Sequence, residues 1–255
     1  MSLFYRGAAP GGPGPLARPA SVTRLFPHAE AQDADLRALN ADLTLWQGTV
    51  ILPGDFARID VPPGQYFLDG PDTDRLNELV QGMVWDHTLG SLSPLSYPPA
   101  FSGGWNLDLS WLERGHVALD GPAPDPEALL AARHARIAAE APMRAAEGEP
   151  EQRLLGWALP PRLDRARRVL TWATESLWAD EDAPVLSLNL HWFGRSGHVS
   201  GIVIAGMDHL PEIEAALPAF LDMLHFAEGC RHEDFDPETD AVFEPGLAGL
   251  VGAQD

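Results

Sequence analysis

Lysine is absent from this chain of 255 residues, cysteine occurs once, and no apolar run reaches the length of a membrane-spanning helix. A single thiol, Cys230, cannot form an internal disulfide or a cysteine-only metal cluster, and without an activating pattern beside it reads as packed rather than nucleophilic. The missing lysine reads as a coding bias. All 17 strongly basic side chains are therefore arginine, set against 37 carboxylates for a formal net charge of −20. Such a chain repels phosphate backbones and anionic lipid headgroups at long range, so neither nucleic acid nor direct membrane insertion is expected. There is no Ser-His-Asp order, glycine-rich phosphate loop or His-Glu-x-x-His pattern. No cofactor is expected. Met1 to Arg6 run into glycine and proline without the apolar centre of a signal peptide. The expectation is a cytoplasmic chain, associated with a membrane or envelope only if a partner tethers it or the start is misassigned.

What is present is ample core material, 45% of the residues being apolar. A flexible Gly/Pro/Ala-rich tail is expected over 1–30, followed by one domain over 31–251: an N-terminal half (31–150), a sheet-plus-helix core (151–230) and an acidic loop (231–245). The core is the most legible part. Leu154 to Leu159 form a short apolar strand stopped by Pro160 and Pro161, a polar connection runs from Leu163 to Arg167, and Val169 to Thr174 make its antiparallel neighbour. Leu186, Leu188, Leu190 and Trp192 alternate with Ser187, Asn189 and His191, which predicts a strand buried on its leucine side. Gly194-Arg195-Ser196-Gly197 then turns the chain into a partner strand from His198 to Ala205.

A helix should follow, capped by Asp208, with Leu210, Ile213, Leu217, Phe220, Leu221 and Leu224 as one apolar stripe on the sheet face to which Trp172 or its neighbours contribute. Pro218 predicts a kink or a break into two short helices near Glu214 to Leu217, and Gly229 a stop. Upstream, the patterns predict a helix over 33–45, a hairpin of 48–53 with 57–61, a short strand at 66–68, and a helix over 72–84 facing inward through Leu76, Leu79, Val80 and Met83. A long loop over 89–104, a strand over 105–111, a helix over 126–141 and a charged linker over 143–152 complete the reading. The fold class is α+β, an antiparallel β-sheet with helices packed on it.

Asn189, His191, His198 and Ser200 fall on one face of the predicted hairpin, where alternate residues point the same way. That face is expected to be polar and solvated, with ligand binding as its functional reading. Arg195, in the turn, suits a carboxylate ligand or a structural pair with a neighbouring acidic loop, the latter favoured. His232, Asp234, Asp236 and Asp240 superficially suggest a metal site. Counted from Asp234, however, Thr239 stands at the sixth loop position and Pro245 at the twelfth, where calcium loops need glycine and an acid, so no metal is assigned. Trp157, Trp172 and Trp192 read as core.

An ordered series of short motifs carries a family resemblance. It runs through Gly48-Thr49-Val50, Val61-Pro62, Phe67-Leu68, Gly156-Trp157, Trp172-Ala173, Leu188-Asn189, Gly194-Arg195 with Gly197, Leu210 with Ile213, Phe226 with Gly229, Asp234-Phe235 and Thr239-Asp240. The series resembles the bacterial family of uncharacterised membrane-anchored proteins, domain of unknown function 2167, over roughly residues 45–251. The resemblance implies an envelope location conferred by a signal segment and a C-terminal anchor, neither of which is expected from residues 1–255, and an acidic segment that is eroded after Gly115-His116-Val117. Because the strongest patterns are packing patterns, the expected function is a non-catalytic binding or protein-interaction module for a protein or small-molecule partner. The alternative is a metal-assisted hydrolase using His191, His198 and the acidic loop.

Overall fold

The computed structural model describes residues 17–27, 34–82, 84–99, 103–122 and 125–253, so most of the expected tail over 1–30, Asp33 and Met83 lie outside the described residues. In chain order the elements are β1 (Arg18–Ser21), α1 (Val22–Leu25), α2 (Ala34–Asp42), β2 (Thr44–Gln47), β3 (Thr49–Ile51), β4 (Ala57–Asp60), β5 (Gln65–Asp69), α3 (Gly70–Gln81), β6 (Thr88–Pro94) and β7 (Leu107–Leu112). They continue as α4 (Pro126–Glu147), β8 (Gln152–Asp164), β9 (Val169–Trp178), β10 (Val185–Phe193), β11 (His198–Gly206), α5 (Leu210–Met223), β12 (Leu224–Phe226) and α6 (Gly246–Ala253). Among the described residues nine strands form one antiparallel sheet in the order β1-β2-β5-β6-β7-β11-β10-β9-β8, and three form a smaller sheet, β12-β4-β3. The β7–β11 pairing joins strands from both halves of the sequence into one surface. The class is α+β, as the sequence predicts.

One face of the large sheet presents Phe67, Leu92, Leu107, Leu109, Ala173, Leu188, Leu190 and Val203 to a single core, closed from the other side by α5 and the small sheet. The α5 stripe packs as its spacing dictates: Ile213 and Phe220 are fully buried, and Leu210, Leu217 and Leu221 pack partly buried against them. Three local expectations fail here: the cap at Asp208, the break near Pro218 and the stop at Gly229. Asp208 makes no capping bond, because a short 3-10 turn over 207–209 precedes the helix. The helix also runs unbroken through Pro218 and passes at Leu224 straight into β12, whose pairing with β4 ends it before Gly229 is reached. Of Trp172 and its neighbours it is Ala173 that faces α5, as the stripe requires, while Trp172 itself lies on the opposite sheet face.

The opposite face carries two clusters. Leu39, Leu43, Leu45, Tyr66 and Leu68 pack beneath α1 and α2, while Leu170, Trp172 and Phe193 pack beneath Leu129 of α4 and Leu247, Leu250 and Val251 of α6. Arg133, buried in α4, donates from Nη1 to the Val251 carbonyl oxygen at 2.7 Å and so satisfies an acceptor at the C-terminal end of α6. The α4 helix also continues past Pro142 to Glu147, ending at the left-handed Gly148, whose N–H reaches the Arg144 and Ala145 carbonyls; the first half of the expected linker is thus helix.

The predicted loop over 89–104 hides strand β6. Leu89, Ser91, Leu92 and Ser93 are all buried, so no apolar/polar alternation marks it. Gly90 is required there: at φ +144° a Cβ would stand 2.3 Å from the Leu68 carbonyl oxygen and from the Phe67 ring. Helix α3 then packs through small and polar residues, Gly70, Thr73 and Asn77, with the Thr73 hydroxyl 3.2 Å from that of Ser91. Its apolar Leu79 and Val80 remain exposed, contrary to the sequence pattern. At the far edge β8 passes straight through Pro160 and Pro161, interrupted by register shifts, which an edge strand tolerates because it pairs on one side only.

Candidate functional site

The β10–β11 hairpin sets His191 opposite Ser200 and Asn189 opposite Ile202, on one sheet face as expected. The face is not solvated. Asn189, His191, His198 and Ser200 are 4%, 1%, 0% and 3% exposed, because α4 and α6 close over this side of the sheet. The His191 ring stacks on Trp172 at 4.9 Å, and the His198 ring lies 4.8 Å from that of His191. Among the described residues neither His198 nitrogen has a hydrogen-bond partner. Burial, then His191 and Arg114, push the His198 imidazole down to about 2, so it is neutral. Two imidazoles sealed in this way offer nothing to a substrate in solution.

Arg195 takes the structural role. Its Nε donates to Asp240 Oδ2 at 2.7 Å and its Nη2 to Oδ1 at 3.0 Å, a bidentate pair, while its backbone N–H donates to the Cys230 carbonyl. Asp240 also accepts from the Asp236 N–H, and Asp234 accepts from the N–H groups of Gly229 and Arg231. His232 Nε2 lies 2.8 Å from the Val117 carbonyl oxygen, and His116 stacks on Phe235 at 3.9 Å. The residues that superficially suggest a metal site therefore fold the acidic loop onto the β10–β11 turn. Among the described residues no group of three or more His, Cys, Asp or Glu side chains is disposed to hold a metal.

The guanidinium of Arg195 holds the Asp240 carboxyl down at about 2. A carboxylate depressed in the folded state stabilises fully above its unfolded value of about 4 and loses that contribution as the pH falls toward the folded one. Asp240→Ala should open the loop, with a lower melting temperature and faster proteolytic cleavage within 229–243. Arg195→Ala should match it, and unchanged cleavage in both variants would show that the pair does not hold the loop.

A cleft that the sequence does not announce opens beside this latch. It encloses about 290 Å³ between the β8–β9 turn, the ends of β10 and α5, strand β12 and residues 231–233. Trp192, Phe193, Leu224 and Phe226 give it an apolar floor, and Arg167, Arg168, Arg231, His225 and His232 stand in its walls. The turn sets the arginines: Asp164 accepts from the Arg167 N–H, and Arg168 takes a left-handed φ of +57° with its carbonyl bonded to the Phe193 N–H. Arg167 is engaged by Asp222 at 2.6 Å and Asp164 at 3.0 Å, and Arg168 by Glu233 at 3.3 Å. The guanidinium of Arg231 has no ion-pair partner among the described residues. Three guanidiniums therefore meet Asp164, Asp222 and Glu233, so the cleft is near charge balance in a chain of charge −20, with Arg231 as its unpaired cation among the described residues.

The family described as "Protein of unknown function (DUF2167)" matches residues 45–255, and the chain belongs to it. No curated protein matches. The solution structure of cyanobacterial PsbP (CyanoP) from Synechocystis sp. PCC 6803 is similar over 79% of this chain and 99% of its own, at 12% identity and a TM-score of 0.38. The Saccharomyces cerevisiae Ran-binding protein Mog1p is similar over 70% of this chain and 94% of its own, at 13% identity and a TM-score of 0.37. Likeness at that level carries no functional argument. Among the described residues no helix is long and apolar enough to cross a membrane.

Proposed function

We propose that this member of a family of unknown function is a non-catalytic binding module whose arginine-lined cleft takes a carboxylate-bearing apolar group of a partner polypeptide. The observation that carries the reading is Arg231, a guanidinium without an ion pair among the described residues, beside an apolar floor. An arginine grips a carboxylate through paired N–H donors, and the floor of Trp192, Phe193, Leu224 and Phe226 suits the side chain that accompanies it. The hydrolase alternative lacks support, since His191 and His198 are sealed and the carboxylates of Asp234, Asp236 and Asp240 are bonded within the acidic loop.

The test is an amide-resolved NMR titration with N-acetylphenylalanine and with its uncharged amide. The acid should shift resonances at 166–168, 192–193 and 221–233, more weakly at high salt, and the amide should not. Arg231→Glu should abolish the response while leaving the melting temperature unchanged. Equal shifts from acid and amide, or none from either, would overturn the reading.

A further inference from the structure

One wall of the cleft around Arg231 is the backbone of β12, an edge strand of the small sheet. Strand β4 pairs with one side of it, and among the described residues no strand pairs with the other. The phase of that pairing decides which backbone groups are used. The Ala227 N–H donates to the Phe56 carbonyl oxygen at 2.8 Å, one step beyond the register of Phe226 with Ala57. Antiparallel strands exchange hydrogen bonds at every second pair, so the next bonded pair is His225 with Arg58. The other side of β4 agrees: the Leu52 N–H donates to the Ala57 carbonyl and the Val61 N–H to that of Gly48, so Ala57, Ile59 and Val61 serve β3 while Phe56 and Arg58 serve β12.

The backbone N–H and C=O of Phe226 therefore point away from β4, and among the described residues neither makes a hydrogen bond. An edge with free N–H and C=O groups is a template for one more extended chain. Three features of the cleft narrow what that chain is. Arg231 supplies a guanidinium free of ion pairs among the described residues, and Trp192, Phe193 and Leu224 supply apolar surface beside the same edge. The volume of about 290 Å³ is at the lower limit for ligand pockets, which suits the end of a chain and not a strand running through. An internal aspartate or glutamate carries no apolar side chain beside its carboxylate, whereas a C-terminal apolar residue carries both.

Resting on the carboxylate reading above, we infer that the cleft takes the C-terminus of a partner polypeptide as an added strand on β12. The terminal carboxylate pairs with Arg231, the last side chain, an apolar one, lies on Trp192 and Leu224, and the peptide group before it exchanges hydrogen bonds with the Phe226 backbone. Main-chain bonds then supply affinity, and the carboxylate and apolar floor select the chain end.

The experiment uses the full chain with three acids: N-acetyl-alanyl-phenylalanine, the same peptide methylated at the phenylalanine nitrogen, and 3-phenylpropionate, which keeps ring and carboxylate without a peptide group. NMR titration gives the affinities, and amide hydrogen exchange, corrected for intrinsic rates, reads the edge itself. In the free protein the Phe226 N–H should exchange faster than that of Ala227, and saturating peptide should slow it at least about tenfold, with 3-phenylpropionate leaving it unchanged. The peptide should bind at least about fivefold more tightly than either comparison acid, the equivalent of one hydrogen bond. Equal binding by the peptide and either comparison acid, abolished in Arg231→Glu, would overturn the added strand and leave the carboxylate reading standing. No binding by any of the three would overturn both. A Phe226 N–H as protected in the free protein as that of Ala227 would show that the edge is already covered, and would overturn the inference as well.

Discussion

Phe220→Ala should destabilise the protein by about 3–5 kcal/mol, measured as the shift in urea midpoint at constant m-value. Phe220 is fully buried at the centre of the α5 stripe and meets Trp105 edge to face, with ring centroids 5.9 Å apart. Truncation removes the transfer energy of the ring and leaves a cavity that the surroundings fill only in part, since α5 is held at one end by a 3-10 turn and at the other by β12. Against a total stability of about 5–15 kcal/mol for an ordinary domain, such a loss should leave a measurable unfolded fraction. Phe220→Leu, which refills most of the volume, should lose far less. Glu214→Gln, on the exposed side of the same helix, should stay within about 0.5 kcal/mol. Similar small effects from all three would mean that α5 is not docked against the sheet through this stripe.

The stripe was legible because α5 has one wet side and one dry side, and β10 likewise separates its leucines from its polar residues. Strand β6 was not, since both its faces are buried and its Ser and Gly residues imitate a loop. Leu79 and Val80 mislead for the converse reason: α3 meets a serine-bearing sheet face, so its small and polar residues go inward. Among the site residues, the pairing of Arg195 with the acidic loop follows from charge alone. The burial of His191 and His198 does not, because Trp172 and Phe193, which flank the two rings, are themselves packed under residues of α4 and of α6, beginning at Gly246. The cleft around Arg231 assembles 166–168, 192–193 and 221–233, each locally unremarkable. An unpaired donor such as the Phe226 N–H exists only once its neighbours are in place.

His198 should make the fold sensitive to acid well above the range in which carboxylates titrate. Its ring is fully buried and unpartnered, and the charged or titratable groups acting on it are His191 across the hairpin and Arg114 after β7, both of which oppose protonation. Its folded-state value of about 2 lies below the 6.5 of an unfolded histidine. A depressed value means that below pH 6.5 the unfolded chain takes up a proton that the native state refuses. Native stability is therefore greatest above pH 6.5 and falls as the pH drops from there toward 2, by up to about 1.4 kcal/mol per pH unit for one proton. Between pH 7 and pH 4 the difference accumulates to about 3 kcal/mol. His198→Leu removes both unpaired nitrogens at similar volume, so at pH 7 it should be neutral or stabilising. Urea unfolding of the two proteins at pH 7, 5.5 and 4 isolates the effect, because the Asp240 latch and the buried Asp108 carboxyl, raised to about 6 by desolvation, are common to both. The stability gap in favour of His198→Leu should widen steadily with acid. Parallel pH profiles would show that the imidazole accepts its proton inside the fold, and the sealed hairpin face would then have to open in solution.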